Sequence, residues 1–373
     1  MNEQTSPIKT AMSAVPIPMA MLAELTHRCP LSCPYCSNPL ELVKAKQELG
    51  TEEWLDVFRQ AAKMGVLHVH LSGGEPASRR DLEELTTGAR EAGLYTNLIT
   101  SGVGLTEKRF ADLVERGLDH VQLSIQGVDA ETANRLGGYK RGFEQKMKVA
   151  EWIKASGVPL TVNAVMHRQN LDRLDETVEM AVRLGARRLE VANTQYHGWA
   201  YRNRFALMPT PEQVKRGGEI VAEARERLKG ILVIDYVTPD HLATYPKPCM
   251  GGWARVGLCV TPSGKVLPCH AAETITTLDF DNVRDKPLMD IWAKGDAFTK
   301  YRGTDWMDGS GPCDGCDRQT KDWGGCRCQA FAWNGDAGTV DPACSKAPNH
   351  AEMRAAAEAE AAQATDDFEY RKM

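Results

Sequence analysis

The stretch MAMLAELTHRCPLSCPYC (residues 19–36) decides how the rest of the chain is read. MAMLAEL (19–25) has the apolar density of a buried strand, and Cys29, Cys33 and Cys36 follow it directly. A loop at the C-terminal end of a barrel strand is where such folds carry their chemistry. Three thiolates on one loop can converge on a single metal centre. A structural zinc site would want a fourth ligand, and His27, which precedes the loop, is the only nearby candidate. An iron–sulfur cubane with one iron left open for substrate suits three ligands. Zinc and inert thiols are the competing readings.

Working outward, β-rich runs alternate with amphipathic stretches from about residue 20 to 237. Strands are expected at 66–74, 94–102, 120–127, 159–166, 188–193 and 231–237. Between them, TEEWLDVFRQAAKMG (51–65) carries Trp54, Val57, Phe58 and Ala61 at helical spacing, with Thr51 as its capped start and Gly65 as its stop. Segments 105–117 and 170–185 also end at glycines. Strands alternating with helices imply a parallel sheet. Six units predict an open or partial (β/α)6 barrel rather than a closed eight-stranded one.

The other strand ends add polar groups on the same face. Gly73-Gly74-Glu75-Pro76 closes the second strand, where glycines permit close backbone approach and Glu75 can meet an ammonium group. Ser101 ends the third strand, and Ser124 with Gln126 ends the fourth. Together they suit a cofactor with a ribose and an amino-acid part. Singly, each reads as turn chemistry.

Composition narrows the class. Of 373 residues, 42% are hydrophobic and 25% charged, enough apolar mass for a sizeable core. A net charge of -5 argues against a nucleic-acid binder. No run approaches the roughly 20 apolar residues of a membrane span, and Pro16 and Pro18 break the N-terminal apolar run, so neither a membrane nor export is expected. In the cytoplasm, 11 cysteines are expected to bind metal or catalyse rather than pair.

The C-x3-C-x2-C loop followed by GGEP resembles the signature of the radical S-adenosylmethionine (SAM) enzymes, over roughly residues 20–237. The resemblance implies that Cys29, Cys33 and Cys36 hold a [4Fe–4S] cluster whose open iron binds SAM. It places Tyr35 beside the adenine and Gly73, Gly74 and Glu75 at the methionine end. Reductive cleavage would release a 5′-deoxyadenosyl radical.

Composition changes near Pro246-Lys247-Pro248. Eight cysteines lie between Cys249 and Cys344, amid Gly, Pro, Asp and Trp with weak periodicity. CVTPSGKVLPC (259–269) reads as one hairpin. Without Cys259, seven thiolates remain, an awkward number for two four-ligand centres. The spacing resembles the SPASM extension of the radical SAM family, except that Asp322 stands where a cysteine is expected. The resemblance implies two auxiliary iron–sulfur clusters. Cys249, Cys269, Cys326 and Cys328 would hold the first, and Cys313, Cys316, Asp322 and Cys344 the second. Cys259 would be a small buried hydrophobe. A pair of zinc sites, or Asp322 as a solvated carboxylate, are the alternatives.

The expected organisation is an N-terminal extension (1–18), a radical SAM partial barrel (19–240), a SPASM domain (241–348), and an Ala/Glu-rich helix with a loose tail (349–373). TQYHGWAYRNR (194–204), CMGGWARVG (249–257), WGGCRCQAF and Ser-Ile-Gln-Gly (124–127) further resemble one branch of the family. That branch joins a glutamate side-chain carbon to a tyrosine ring in a small precursor peptide, early in pyrroloquinoline quinone biosynthesis. The auxiliary clusters would then accept or conduct the electron released after bond formation. Trp199, Arg202 and Arg204 are candidate peptide contacts, and no residue is singled out as the base at the ring. The first strand starts near residue 19, leaving no room upstream for a peptide-recognition domain. The branch implies a separate peptide carrier, and an external reductant is needed. Another SPASM maturase, of thioether or sulfatase type, and a noncatalytic metal scaffold are the competing functions.

Overall fold

The computed structural model describes residues 15–309 and 311–372, so the N-terminal extension lies outside it up to residue 14. Seven strands run parallel: β1 (Ala20–Thr26), β2 (His68–Gly73), β3 (Tyr95–Thr100), β4 (His120–Ile125), β5 (Leu160–Met166), β6 (Arg188–Asn193) and β7 (Val233–Val237). Each is hydrogen-bonded to its neighbour in sequence. This is the expected partial barrel, an arc that ends at β7. The period-two pattern sets its faces. On β4, Val121, Leu123 and Ile125 are buried in the core, while Gln122 and Ser124 line the central cavity.

Helices cover the outer face. Helix α1 (Thr51–Met64) buries Trp54, Val57, Phe58, Ala61 and Met64, each large apolar side chain contributing roughly 1.5–3 kcal/mol. Its cap differs from the expectation by one residue. Gly50 is the N-cap and its N–H donates to Glu53 at 2.7 Å, whereas the Thr51 hydroxyl donates to Asp81 at 2.7 Å. Gly65 ends the helix in the left-handed region as expected.

The hairpin expected at 259–269 forms from β8 (Gly257–Val260) and β9 (Val266–Leu267). Beyond that expectation, β8 pairs in parallel with β1, Cys259 lying opposite Leu22. One core cluster therefore runs from β1 into Trp253, Leu288, Trp292 and Cys328 of the cysteine-rich segment. Helix α2 (Arg327–Asn334) carries Cys328, and α3 (His350–Ala362) is the expected Ala/Glu-rich helix.

The tail is not loose. Arg371 is 3% exposed, and Glu369, Tyr370 and Arg371 all bond to the barrel. Local sequence cannot show this, because every partner lies more than 150 residues away.

Candidate active site and auxiliary thiol sets

The loop after β1 meets the end of β2 at a β-bulge near Leu25, and main-chain bonds tie them. Gly74 N–H donates to Thr26 O at 2.6 Å, and Glu75 N–H to Arg28 O at 2.8 Å. That crossing is why both glycines are needed. A Cβ on Gly73 would sit 2.3 Å from Thr26 O, and one on Gly74 would sit 2.4 Å from Arg28 O. Because backbone cannot yield as a side chain can, Gly74→Ala is expected to destabilise the protein by at least about 1–3 kcal/mol. A drop in unfolding temperature, with weaker iron retention at the loop, checks this.

Cys29, Cys33 and Cys36 line one cavity of about 500 Å³ at the C-terminal ends of the strands. Tyr35, Gly73, Gly74, Ser101, Ser124 and Gln126 line it too, as expected. Glu75 does not. It is wholly buried, and its carboxylate accepts from Ala77 N, Thr100 Oγ1, Ser101 N and Ser101 Oγ at 2.6–3.0 Å. Four bonds use the acceptor capacity of a carboxylate, so Glu75 fixes the end of β3 rather than facing the cavity. His27 is also absent from the lining. Its Nδ1 accepts from Val43 N at 3.0 Å, and its other ring nitrogen lies 3.8 Å from Glu24, so the zinc reading loses its fourth ligand.

Two buried residues that brace the cavity lining, Lys146 and His167, carry no sequence signal. Lys146 is buried and donates to Ser101 O at 2.7 Å and Ser124 O at 3.0 Å, clamping the ends of β3 and β4. Burial lowers its pKa to about 8, against the thiol of Cys33 and the carboxylate of Glu75. His167 packs its ring 5.2 Å from that of Tyr35, and burial lowers its pKa to about 3, so it is neutral. Lone residues with no motif around them leave no signal at this level.

The eight auxiliary residues gather in the two expected groups. Cys249 and Cys328 each touch both Cys269 and Cys326. Hydrogen bonds from Cys249 and Cys328 hold Cys269 and Cys326 well below the usual thiol range. His270 is raised to about 9, chiefly by Cys269, and His197 is raised because Cys326 outweighs its burial. Both histidines also line the 500 Å³ cavity, so this thiol set abuts the radical-site cavity.

Cys313, Cys316, Asp322 and Cys344 surround a separate pocket of about 20 Å³. Three consecutive residues with positive φ, Trp323, Gly324 and Gly325, make the turn that sends Asp322 to one set and Cys326 to the other. Asp322 is 7% exposed; its carboxylate accepts from Arg318 Nε at 3.0 Å and Gly324 N at 3.2 Å. Lone pairs remain for a metal.

Cys259 joins neither set, being buried in β8 at 1% exposure. Cys259→Ala is expected to retain all iron and cost on the order of 1 kcal/mol, whereas Cys328→Ala should lose one cluster's iron. Iron counts on the two purified variants check this.

The residues fit iron–sulfur clusters. Among the described residues, buried Asn38 Nδ2, Gln126 Oε1 and Asn193 Oδ1 line the cavity without a hydrogen-bond partner, as a polar ligand would require. Burial pushes Cys29 up to about 12 and Cys33 to about 11, a cost that bound metal removes by supplying positive charge. Among the described residues no three side chains are already drawn in around a single metal ion.

The candidate peptide contacts are occupied otherwise. Arg204 pairs with Glu360 at 2.7 Å, Arg202 pairs with Glu369 at 3.3 Å, and Trp199 is buried. They hold α3 and the tail.

Comparison with known proteins agrees with this architecture. The radical SAM superfamily model matches residues 23–181, and the SPASM iron–sulfur cluster-binding domain matches 249–317. The PqqA peptide cyclase of Rhizobium meliloti (strain 1021) is 63% identical over 331 residues, 89% of this chain and 88% of that protein. The PqqA peptide cyclase of Ruegeria pomeroyi is 58% identical over 360 residues, 96% of each chain. Streptococcus suis SuiB bound to S-adenosylmethionine shares the fold, with a TM-score of 0.72 and 19% identity, covering 90% of this chain and 80% of SuiB. With relatives this similar over nearly its whole length, the chain belongs to the PqqA peptide cyclase family of radical SAM enzymes.

Proposed function

We propose that this chain cross-links a glutamate side-chain carbon to a tyrosine ring carbon within a PqqA-type precursor peptide, an early step of pyrroloquinoline quinone biosynthesis. The observation that carries this reading is the cavity where three loop thiols and partnerless polar groups meet His197 and His270, the histidines that stand against the first auxiliary thiol set. The family resemblance supplies the substrate. Cys29, Cys33 and Cys36 hold the SAM-binding cluster. Cys249, Cys269, Cys326 and Cys328 hold one auxiliary cluster, and Cys313, Cys316, Asp322 and Cys344 the other. A bound cluster with SAM supplies, on reduction, a 5′-deoxyadenosyl radical.

The chain's own groups prepare the ground for that chemistry. Tyr35, braced by neutral His167, offers a flat apolar face for adenine. Ser101 and Ser124 stand on strand ends held by Glu75 and Lys146, so hydroxyl positions at the ribose do not drift. Gln126 and Asn193 offer free polar atoms to ligand or peptide. The reaction joins two carbons and removes two hydrogens from the peptide: one would leave as a hydrogen atom to the 5′-deoxyadenosyl group, the other as a proton and an electron that an auxiliary cluster would accept. Mass spectrometry of PqqA after anaerobic incubation with reduced enzyme and SAM tests it. A product lighter by two hydrogens, cross-linked between Glu and Tyr, is expected, and a thioether or formylglycine would overturn it.

A PqqD-type carrier delivers the peptide, an external reductant supplies electrons, and the enzyme works in the cytoplasm. No helix among the described residues is long and apolar enough to cross a membrane. Addition of the carrier should raise the cross-linking rate; an equal rate with enzyme and peptide alone would remove the carrier from the scheme.

A further inference from the structure

Residues 365–372 return from α3 to the loop that carries the first three cysteines. Thr365 N–H donates to Phe205 O at 3.3 Å. Asn203 then grips Glu369 from both sides, accepting from its N–H at 2.7 Å and donating to its carbonyl at 2.8 Å. The same Asn203 amide donates to Pro34 O at 2.8 Å, between Cys33 and Tyr35. Tyr370 hydroxyl donates to Arg135 O at 2.8 Å, and Arg371 N–H donates to Ser32 O at 3.0 Å. The Arg371 guanidinium finally donates to the carbonyls of Leu31 at 2.9 Å, Cys29 at 3.2 Å and His27 at 3.4 Å.

Arg371 is 3% exposed, lines the cavity, and is ion-paired with no carboxylate among the described residues. A buried cation costs several kcal/mol unless hydrogen bonds and opposite charge compensate it. Three carbonyls supply the bonds. Opposite charge comes from the thiolates of Cys29, Cys33 and Cys36 once a cluster binds them, and Arg371 acts electrostatically on all three, while Glu75 acts on Cys29 and Glu24 on Cys36.

We propose that Arg371 is a positioning residue of the radical site, whose fork holds the cysteine loop and whose charge sits beside the cluster those cysteines bind. This rests on the ligand assignment above. Bridging three carbonyls demands the planar guanidinium, which an ammonium cannot imitate, whereas the charge needs only a cation. The two roles therefore separate in two variants.

The experiment uses the reconstituted full chain, wild type, Arg371→Gln and Arg371→Lys. Two readings are taken: the SAM-cluster midpoint potential by electron paramagnetic resonance, and amide hydrogen exchange over residues 29–36. Arg371→Gln should shift the potential to more negative values, because the added electron loses a neighbouring cation. It should also speed exchange at least roughly tenfold, since bonds from a charged donor contribute about 1.5–3 kcal/mol each. Arg371→Lys should keep the potential near wild type but speed exchange. Auxiliary-cluster signals should not move. A Gln variant matching wild type in both readings overturns the proposal. If the Gln variant does not fold, the Lys variant decides, and unchanged exchange there overturns it. Wild type that binds no cluster at Cys29, Cys33 and Cys36 would instead sink the ligand assignment itself.

Discussion

Cys33→Ala is expected to reduce 5′-deoxyadenosine formation to background. Cys33 lies on the cavity wall with Cys29 and Cys36, and among the described residues no other thiol lines it; its two imidazoles, His197 and His270, stand against Cys326 and Cys269 of the first auxiliary set. His27 accepts from Val43 N–H on the other side of the loop, and His167 packs against Tyr35. The remaining eight cysteines belong to the auxiliary sets or to β8, on other segments. A cubane already lacking one protein ligand by design would then keep only two, and its iron would be lost to solvent or chelator. The loss should be confined to one cluster. The fold should survive, because Asn203 and Arg371 bind the loop through main-chain carbonyls, which the substitution leaves in place. Chromatographic quantification of 5′-deoxyadenosine beside an iron count provides the test. Normal yield with one cluster's iron missing, or a full iron count with normal yield, would each refute the role of Cys33.

Asp322→Ala is expected to leave the second auxiliary set with three protein ligands, a chelator-labile cluster and impaired cross-linking. Loss of even an outer partner of a ligand costs roughly 10–100-fold in metal affinity or activity, and a ligand should cost at least as much. The carboxylate is buried at the same small pocket as Cys313, Cys316 and Cys344, and its bonds to Arg318 and Gly324 orient it. Arg318 also stacks at 3.9 Å on the Tyr245 ring, so removing Asp322 does not leave it without contacts. Oxygen is a harder donor than sulfur, so Asp322→Cys should retain a cluster with a changed potential. The decisive measurement is the spectrum of this cluster in the Ala variant, with the other two removed by Cys→Ala substitution of their ligands. An unchanged spectrum and potential would reduce Asp322 to a buried carboxylate that caps a turn.

How much of this was legible in the sequence differs from residue to residue. The cysteine loop, GGEP and the strand-end polar residues could be read because a parallel α/β chain repeats one local pattern. Hydrophobic period marks each strand, and whatever follows a strand falls on the same rim. The seven strands and the helices expected at 51–65, 105–117 and 170–185 lie where their periodicity placed them. Auxiliary ligands could be grouped because cysteine is rare and its spacing stands out against a weakly patterned segment.

Other features depend on contacts between distant segments, which leave no periodic trace. Glu75 belongs by motif among ligand contacts, yet Thr100 and Ser101 of the next strand fill its carboxylate. Gly73 and Gly74 looked like a ligand cradle, and the structure shows them also clearing a path for the backbone of residues 26–28. The pairing of β8 with β1 joins residues more than 230 apart, so one core serves both cysteine regions. Arg371 is the sharpest case. In a polar terminal stretch it has nothing locally to bind, and only the closed fold brings the carbonyls of residues 27–31 within its reach. The sequence by itself determined which groups can do chemistry, because residue type and local period are encoded in adjacent positions. The tertiary structure alone decided which of those groups face the cavity and which hold it in shape, because hydrogen bonds form between neighbours in space.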